Sequence, residues 1–241
     1  MGVKGMQDKR TKVLVVCAHP GDEILGCGAT LALHVRQGHQ VRVLVMGDGW
    51  TSRVKSVEKA KDVVDLDVIE KQARAALKLI GVEQVEYLRF PDNRFDTLPL
   101  LDLVKEVERV KQRFAPDILY TNSPFDLSVD QQKTSRAVVT AFRPQPGDNR
   151  TELFCFEVPS STEWNVLGGT GNFSPNYFVD VSETLSMKIS AFQQMGFEVR
   201  PWPHPRSIEA IEHQAKGRGA SVGVAAAETF MLLRAVKTMG R

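Results

Sequence analysis

The chain has 241 residues, 42% of them hydrophobic and 25% charged, with 31 Lys and Arg against 29 Asp and Glu for a formal net charge of +2. This balance excludes a polyanion held by bulk charge, so no nucleic-acid partner is expected. The apolar content suits a single α/β domain over residues 1–241 with a full core.

No apolar run approaches the roughly 18 residues of a membrane span, and Met1 to Lys12 lack the apolar centre of a signal peptide, so no membrane span and a cytoplasmic location are expected. Cys17, Cys27 and Cys155 follow no C-x-x-C spacing, which argues against a disulfide framework or a thiolate zinc site. Cys17 is expected to be a small core residue.

Residues 1–10 are polar and expected to be flexible. Val13 to Ala18 is a continuously apolar run that suits a strand buried on both faces of a parallel sheet. It stops at His19-Pro20-Gly21-Asp22-Glu23, and Ile24 to Val35 reads as a helix. Gln40 to Met46 is a second strand, and Thr51 to Asp67 is expected to be a partly helical excursion over the site. Val68 to Ile80 is an amphipathic helix closed by Gly81. Glu86 to Phe90 is a third strand, Pro99 to Phe114 a helix and Ile118 to Thr121 a fourth strand. The alternation predicts a doubly wound, mostly parallel sheet with helices on both faces.

Beyond Thr121 the spacing predicts a helix over Gln131 to Phe142 and a strand over Leu153 to Val158. The stretch Ser160 to Asn176 is rich in Ser, Thr, Gly and Asn and is too long for a simple connector. Tyr177 to Val181 reads as a strand, and a helix runs from Ser182 to about Met195. A Pro-rich loop, Arg200 to Ser207, precedes two further predicted helices, Ile208 to Arg218 and Ala225 to Thr238.

Ligands of open α/β sheets bind at the carboxyl ends of the strands, where His19, Asp22 and Glu23 fall. A neutral imidazole and a carboxylate at this spacing suit a divalent metal. By composition alone such residues more often form a helix cap than a metal site, with Glu23 as a first-turn acid.

Ala18-His19-Pro20-Gly21-Asp22-Glu23, followed by Gly26 and Gly28, resembles the A-H-P-D-D-E opening of the PIG-L or LmbE-like zinc-dependent N-deacetylases. Further matches lie at Pro91-Asp92-Asn93-Arg94, Pro116-Asp117-Ile118, Asp126 to Asp130, Phe156 to Trp164 and His204-Pro205-Arg206-Ser207. The resemblance implies a three-layer Rossmann-like (LmbE-like) fold, zinc or another divalent metal at the strand ends, and an N-acetylglucosamine-type amino sugar or glycoconjugate as small-molecule partner. It is compatible with a homo-oligomer. It also implies metal ligands at His19, Asp22 and Gln131, and catalytic positions at Gly21, Ser128 and Asp130. Here the chain departs from the pattern. The usual base is replaced by Gly21, the third ligand, a histidine, by Gln131, and an assisting histidine by Ser128. Glycine cannot take a proton, and an amide oxygen is a poorer zinc ligand than imidazole.

Arg53, Arg94, Asp96, Glu163, Trp164, His204 and Arg206 supply the polar groups and aromatic platform that a sugar site uses. The reading is therefore a deacetylase relative with a degraded or altered catalytic site, or alternatively an inactive pseudo-deacetylase that binds a sugar. A nucleotide-dependent Rossmann enzyme is disfavoured, because Gly21 to Gly28 does not give G-x-G-x-x-G.

Overall fold

The computed structural model describes residues 10–53, 65–166 and 171–237. The expected flexible start, most of the excursion after the second strand, and part of the 160–176 stretch lie outside these residues. The elements in chain order are β1 (Lys12–Cys17), α1 (Asp22–Arg36), β2 (Gln40–Gly47), α2 (Leu66–Leu79), β3 (Gln84–Phe90), α3 (Leu100–Phe114), β4 (Ile118–Asn122), α4 (Val129–Ala141), β5 (Glu152–Phe156), β6 (Tyr177–Asp180), α5 (Leu185–Gln194), α6 (Ile208–Ala220) and β7 (Ala227–Arg234). They build one sheet in the order β3-β2-β1-β4-β5-β7-β6. The first five strands are parallel, and β7 runs antiparallel to both its neighbours.

The continuous apolar run of β1 is explained by its central place, because successive side chains enter opposite layers. Val13, Val15 and Cys17 pack with α1, α2, α5 and α6 on one face, and Leu14 and Val16 pack with α3 and α4 on the other. Chain order reverses at β1, which pairs with β2 on one side and β4 on the other. A crevice opens where such a reversal separates the loops after two adjacent strands. No helix among the described residues is long and apolar enough to cross a membrane.

One predicted element is wrong in kind. Ala225 to Thr238 was expected to be helical, yet residues 227–234 form β7. Ala, Glu, Met and Leu favour helix in isolation, but pairing between β5 and β6, with Ala227, Glu228, Thr229 and Phe230 buried, outweighs that preference.

Helix α1 is broken at Cys27, where φ is −145° and ψ is 17°. The groups around the break find partners from later in the chain. Glu228 accepts from Ala29 N at 3.1 Å and Thr30 N at 2.7 Å. Lys188 Nζ donates to Leu25 O at 2.6 Å and to Glu228 at 2.7 Å. The buried ion pair thus spans the kink and fixes the direction of the turn that carries Asp22. Gly26 lies in that turn, and a Cβ there would stand 2.1 Å from the Phe156 ring.

Candidate functional site

His19 follows β1 at the crevice. Its Nε2 lies 2.9 Å from Asp130 Oδ2 and 3.0 Å from Asp92 Oδ1. Asp130, fully buried in the first turn of α4, also accepts from Asn93 N at 2.6 Å and Phe95 N at 3.0 Å. Burial pushes the imidazole toward neutrality, but the hydrogen bonds to Asp130 and Asp92 prevail and raise its pKa to about 10. Burial opposes ionisation of Asp92 as well, and its bonds to His19 and Ser52 hold it below the usual carboxylate range.

Asp22 begins α1 and is met by nitrogen donors. Asn122 Nδ2, at the end of β4, lies 3.0 Å away, and the backbone N–H of His19 3.2 Å away. Gln131 Nε2, from α4, reaches both carboxylate oxygens, at 3.1 and 3.2 Å. The other end of that amide, Oε1, accepts from Ser161 Oγ at 2.8 Å. Ser161 Oγ also lies within hydrogen-bonding distance of Asp126, which accepts from Ser128 N at 2.9 Å and Thr162 Oγ1 at 2.6 Å. Burial raises the Asp126 pKa to about 6, with hydrogen bonds from Ser161, Thr162 and Ser128 opposing and Asp22 adding repulsion.

Gly21 has φ +100°, a conformation that side chains rarely adopt, and a Cβ there would stand 2.9 Å from Met195 Cε. Its N–H donates to Glu23 Oε2 at 2.9 Å. Glu23 is fully buried, and burial raises its pKa to about 7. It does not line the cavity, so it acts as a cap within the turn.

His19, Gly21, Asp22, Ser128, Gln131 and Arg206 line one cavity of about 170 Å³. Six of the residues singled out in the sequence, spread from position 19 to 206, therefore meet. Ser128 Oγ is buried and has no hydrogen-bond partner among the described residues. Asp130 stands behind His19 and supports it.

Arg94, Asp96, Glu163, Trp164 and His204 lie outside the lining. Arg94 and Asp96 are exposed on the loop after β3. Glu163 accepts from Ser160 N at 2.6 Å, and Trp164 packs edge-on against His204 with ring centroids 5.8 Å apart. His204 Nδ1 accepts from Arg206 N at 3.0 Å, a bond within its loop. The Arg53 side chain lies outside the described residues. Arg206 is fixed by Pro159 O at 3.0 Å and by an ion pair with Glu198.

Ser52, Asn93, Ser161 and Glu198 also face the cavity. Sequence reasoning had not selected them. Asn93 and Ser161 fall within matched motifs, whereas Ser52 and Glu198 carry no signal beyond being polar loop residues.

The donor set tests whether a divalent metal fits. A cation needs lone pairs, but here an amide N–H group sits on the Asp22 carboxylate at the third position. In this arrangement His19, Asp22 and Gln131 do not form a three-ligand zinc site. Among the described residues, His19, Asp92 and Asp130 bring three ligand atoms within 4.8 Å of one another and could hold a metal. The same Nε2 lies within hydrogen-bonding distance of both carboxylates, which as acceptors would orient the ring. The arrangement can seat a small polyol between a carboxylate, an imidazolium, serine hydroxyls and a guanidinium. It places no proton acceptor at position 21.

The family described as PIG-L: GlcNAc-PI de-N-acetylase matches residues 14–142. The uncharacterized deacetylase YaiS of Escherichia coli K12 is 28% identical over 193 residues, covering 78% of this chain and 91% of its own. Diacetylchitobiose deacetylase of Thermococcus kodakarensis is 27% identical over 225 residues, covering 88% of this chain and 82% of its own. The solved structure of N,N'-diacetylchitobiose deacetylase from Pyrococcus horikoshii superposes with a TM-score of 0.73 at 18% identity, covering 93% of this chain and 84% of that one.

Proposed function

The chain belongs to the PIG-L family, and from that premise we propose that its cavity binds an N-acylated amino sugar or glycoconjugate while hydrolysing the amide poorly or not at all. Diacetylchitobiose deacetylase, 27% identical over 225 residues, supports the substrate class, while a 4-oxalmesaconate hydratase of Pseudomonas putida, 22% identical over 251 residues, shows that the same kind of chain also serves a different reaction. The observation that carries the departure is the Gln131 amide on Asp22, with its nitrogen at 3.1 and 3.2 Å from the carboxylate oxygens. It fills with hydrogen-bond donors the place where a metal ligand would present a lone pair.

The vacant base position points the same way. A positioned general base contributes about 10²–10⁴ in rate, and Gly21 offers none. What remains is binding chemistry. Asp22 can hold sugar hydroxyls, and Arg206 closes one wall. The second reading, a sugar-binding protein with no hydrolysis, differs in degree and is favoured by the same amide.

The test pairs two measurements on the wild-type protein. N-acetylglucosamine and diacetylchitobiose are titrated calorimetrically, and release of free amine from the same compounds is followed with zinc present. Saturable binding with little or no amine release is expected. Robust amine release accompanied by tight stoichiometric zinc overturns the reading.

A further inference from the structure

The cavity of about 170 Å³ is smaller than the roughly 300 Å³ that encloses a drug-sized ligand, so it holds about one sugar ring. A second ring on the same ligand must rest on the surface outside. Ser160, Ser161 and Arg206 form one side of the cavity, and the chain runs from there directly to Trp164. The indole is 45% exposed, although such a ring gains much from being covered.

Trp164 is also held in place. Glu163 accepts from Ser160 N at 2.6 Å, and Asn165 Nδ2 donates to Phe125 O at 3.0 Å, so the turn is pinned on both sides of the ring. The indole meets His204 edge-on, with centroids 5.8 Å apart, and the His204 ring is set by Arg206 N at 3.0 Å. Arg206 donates in turn to Pro159 O at 3.0 Å. A closed circuit of contacts thus joins the exposed indole to the cavity wall. Ser160, at its start, adopts φ +66°, a conformation that residues other than glycine rarely take and that persists only where the surroundings enforce it. Trp202 is 58% exposed but rests on His213 of α6.

We infer that Trp164 is the floor of a second sugar subsite, so that the ligand is a glycan of at least two rings, one in the cavity and the next on the indole. A pyranose presents C–H groups on its face and hydroxyls around its rim. The flat indole suits the face, and Glu163, with one carboxylate oxygen engaged by Ser160 N, suits the rim. A lipid tail would call for a wide apolar surface, whereas the immediate neighbours of this ring are Glu163, Asn165 and His204. Because the turn is already fixed, little ordering is lost when a ligand settles there.

The inference rests on the sugar-binding reading of the cavity, and the experiment separates the two. N-acetylglucosamine and diacetylchitobiose are titrated calorimetrically into the wild type, Trp164→Ala, Trp164→Phe and Trp202→Ala. The wild type should bind the two-ring compound about tenfold more tightly than the one-ring compound. Trp164→Ala should keep its affinity for N-acetylglucosamine and lose that preference. Trp164→Phe should retain most of it, and Trp202→Ala should match the wild type. In a variant carrying Trp50→Phe and Trp202→Phe, Trp164 is the one indole left of three. Its emission should shift with the two-ring compound and stay fixed with the one-ring compound. Equal affinity of the wild type for both compounds, or a preference that survives in Trp164→Ala, overturns the subsite and leaves the cavity reading standing. No binding of either compound overturns both.

Discussion

Met195 Cε lies 2.9 Å from the point where a Cβ on residue 21 would stand, so the methionine closes the space above Gly21. Gly21→Asp therefore meets two obstacles. The methionine end can turn aside, but φ +100° cannot be relieved without moving the loop. The substitution is expected to destabilise the protein by about 1–3 kcal/mol and, alone, to leave amide hydrolysis unchanged. Chemical denaturation and an amine-release assay check both parts.

Pairing Gly21→Asp with Gln131→His returns a proton acceptor and an imidazole at once. Hydrolysis of an N-acetyl sugar should rise above the parent level only in the double variant, and more so with Met195→Ala added. Steady-state rates for the singles, the double and the triple decide it, and no rise in the triple refutes the expectation.

The Lys188–Glu228 pair is buried, with side chains only 5% and 3% exposed. Lys188→Met leaves the carboxylate without its counter-charge and should cost about 3–5 kcal/mol. Replacing both partners with apolar residues should cost less than the two single changes combined. Ala29 N and Thr30 N still lose their acceptor, so some loss persists. A double-mutant cycle in urea measures the coupling.

His34 supplies a pH prediction away from the site. It is buried against Tyr120 OH at 3.0 Å and His39 Nδ1 at 2.8 Å. Burial, with repulsion from His39, lowers its pKa from 6.5 to about 4. The folded state thus prefers the neutral ring. The resulting stability is fully present above pH 6.5 and is lost as the pH falls toward 4, at most about 3 kcal/mol. Melting temperatures should fall over that interval in the wild type and fall less in His34→Gln. Equal slopes would contradict it.

Gly26→Ala places a methyl carbon 2.1 Å from the Phe156 ring. Both groups are held by the sheet and the kinked helix, so the clash is not easily relieved. Overpacking of this kind costs about 1–3 kcal/mol, and the Asp22 turn should shift with it. Thermal unfolding and amide chemical shifts of residues 22–25 report the two effects.

Much of this site is legible in the sequence because of where the chain changes character. The abrupt passage from Val13–Ala18 to His19-Pro20-Gly21 marks a strand end, and the matched motifs place Gln131, Ser128 and Arg206 in the same crevice. The partners that set their state are harder to read. Asn122 and Ser161 act on Asp22 and Gln131 across 100 and 30 positions of sequence, and nothing local separates them from ordinary polar loop residues. Arg94, Asp96 and Trp164 have suitable chemistry, but they are exposed and do not line the cavity. Strand β7 was misread because its composition favours helix while its neighbours impose extension.

That same strand sets the order in which the molecule can be completed. Among the described strands β6 pairs only with β7, and β7 also covers the open edge of β5. Glu228 on β7 satisfies amides of α1 that lie 199 and 198 residues earlier. Contacts so distant in sequence form late, because closing a long loop is entropically costly. The first helix of the chain, which carries Asp22 and Leu25 of the pocket, therefore waits for nearly the last strand to be made. A nascent chain shorter than about 227 residues would hold β1 to β5 with the pocket's leading turn still unfastened.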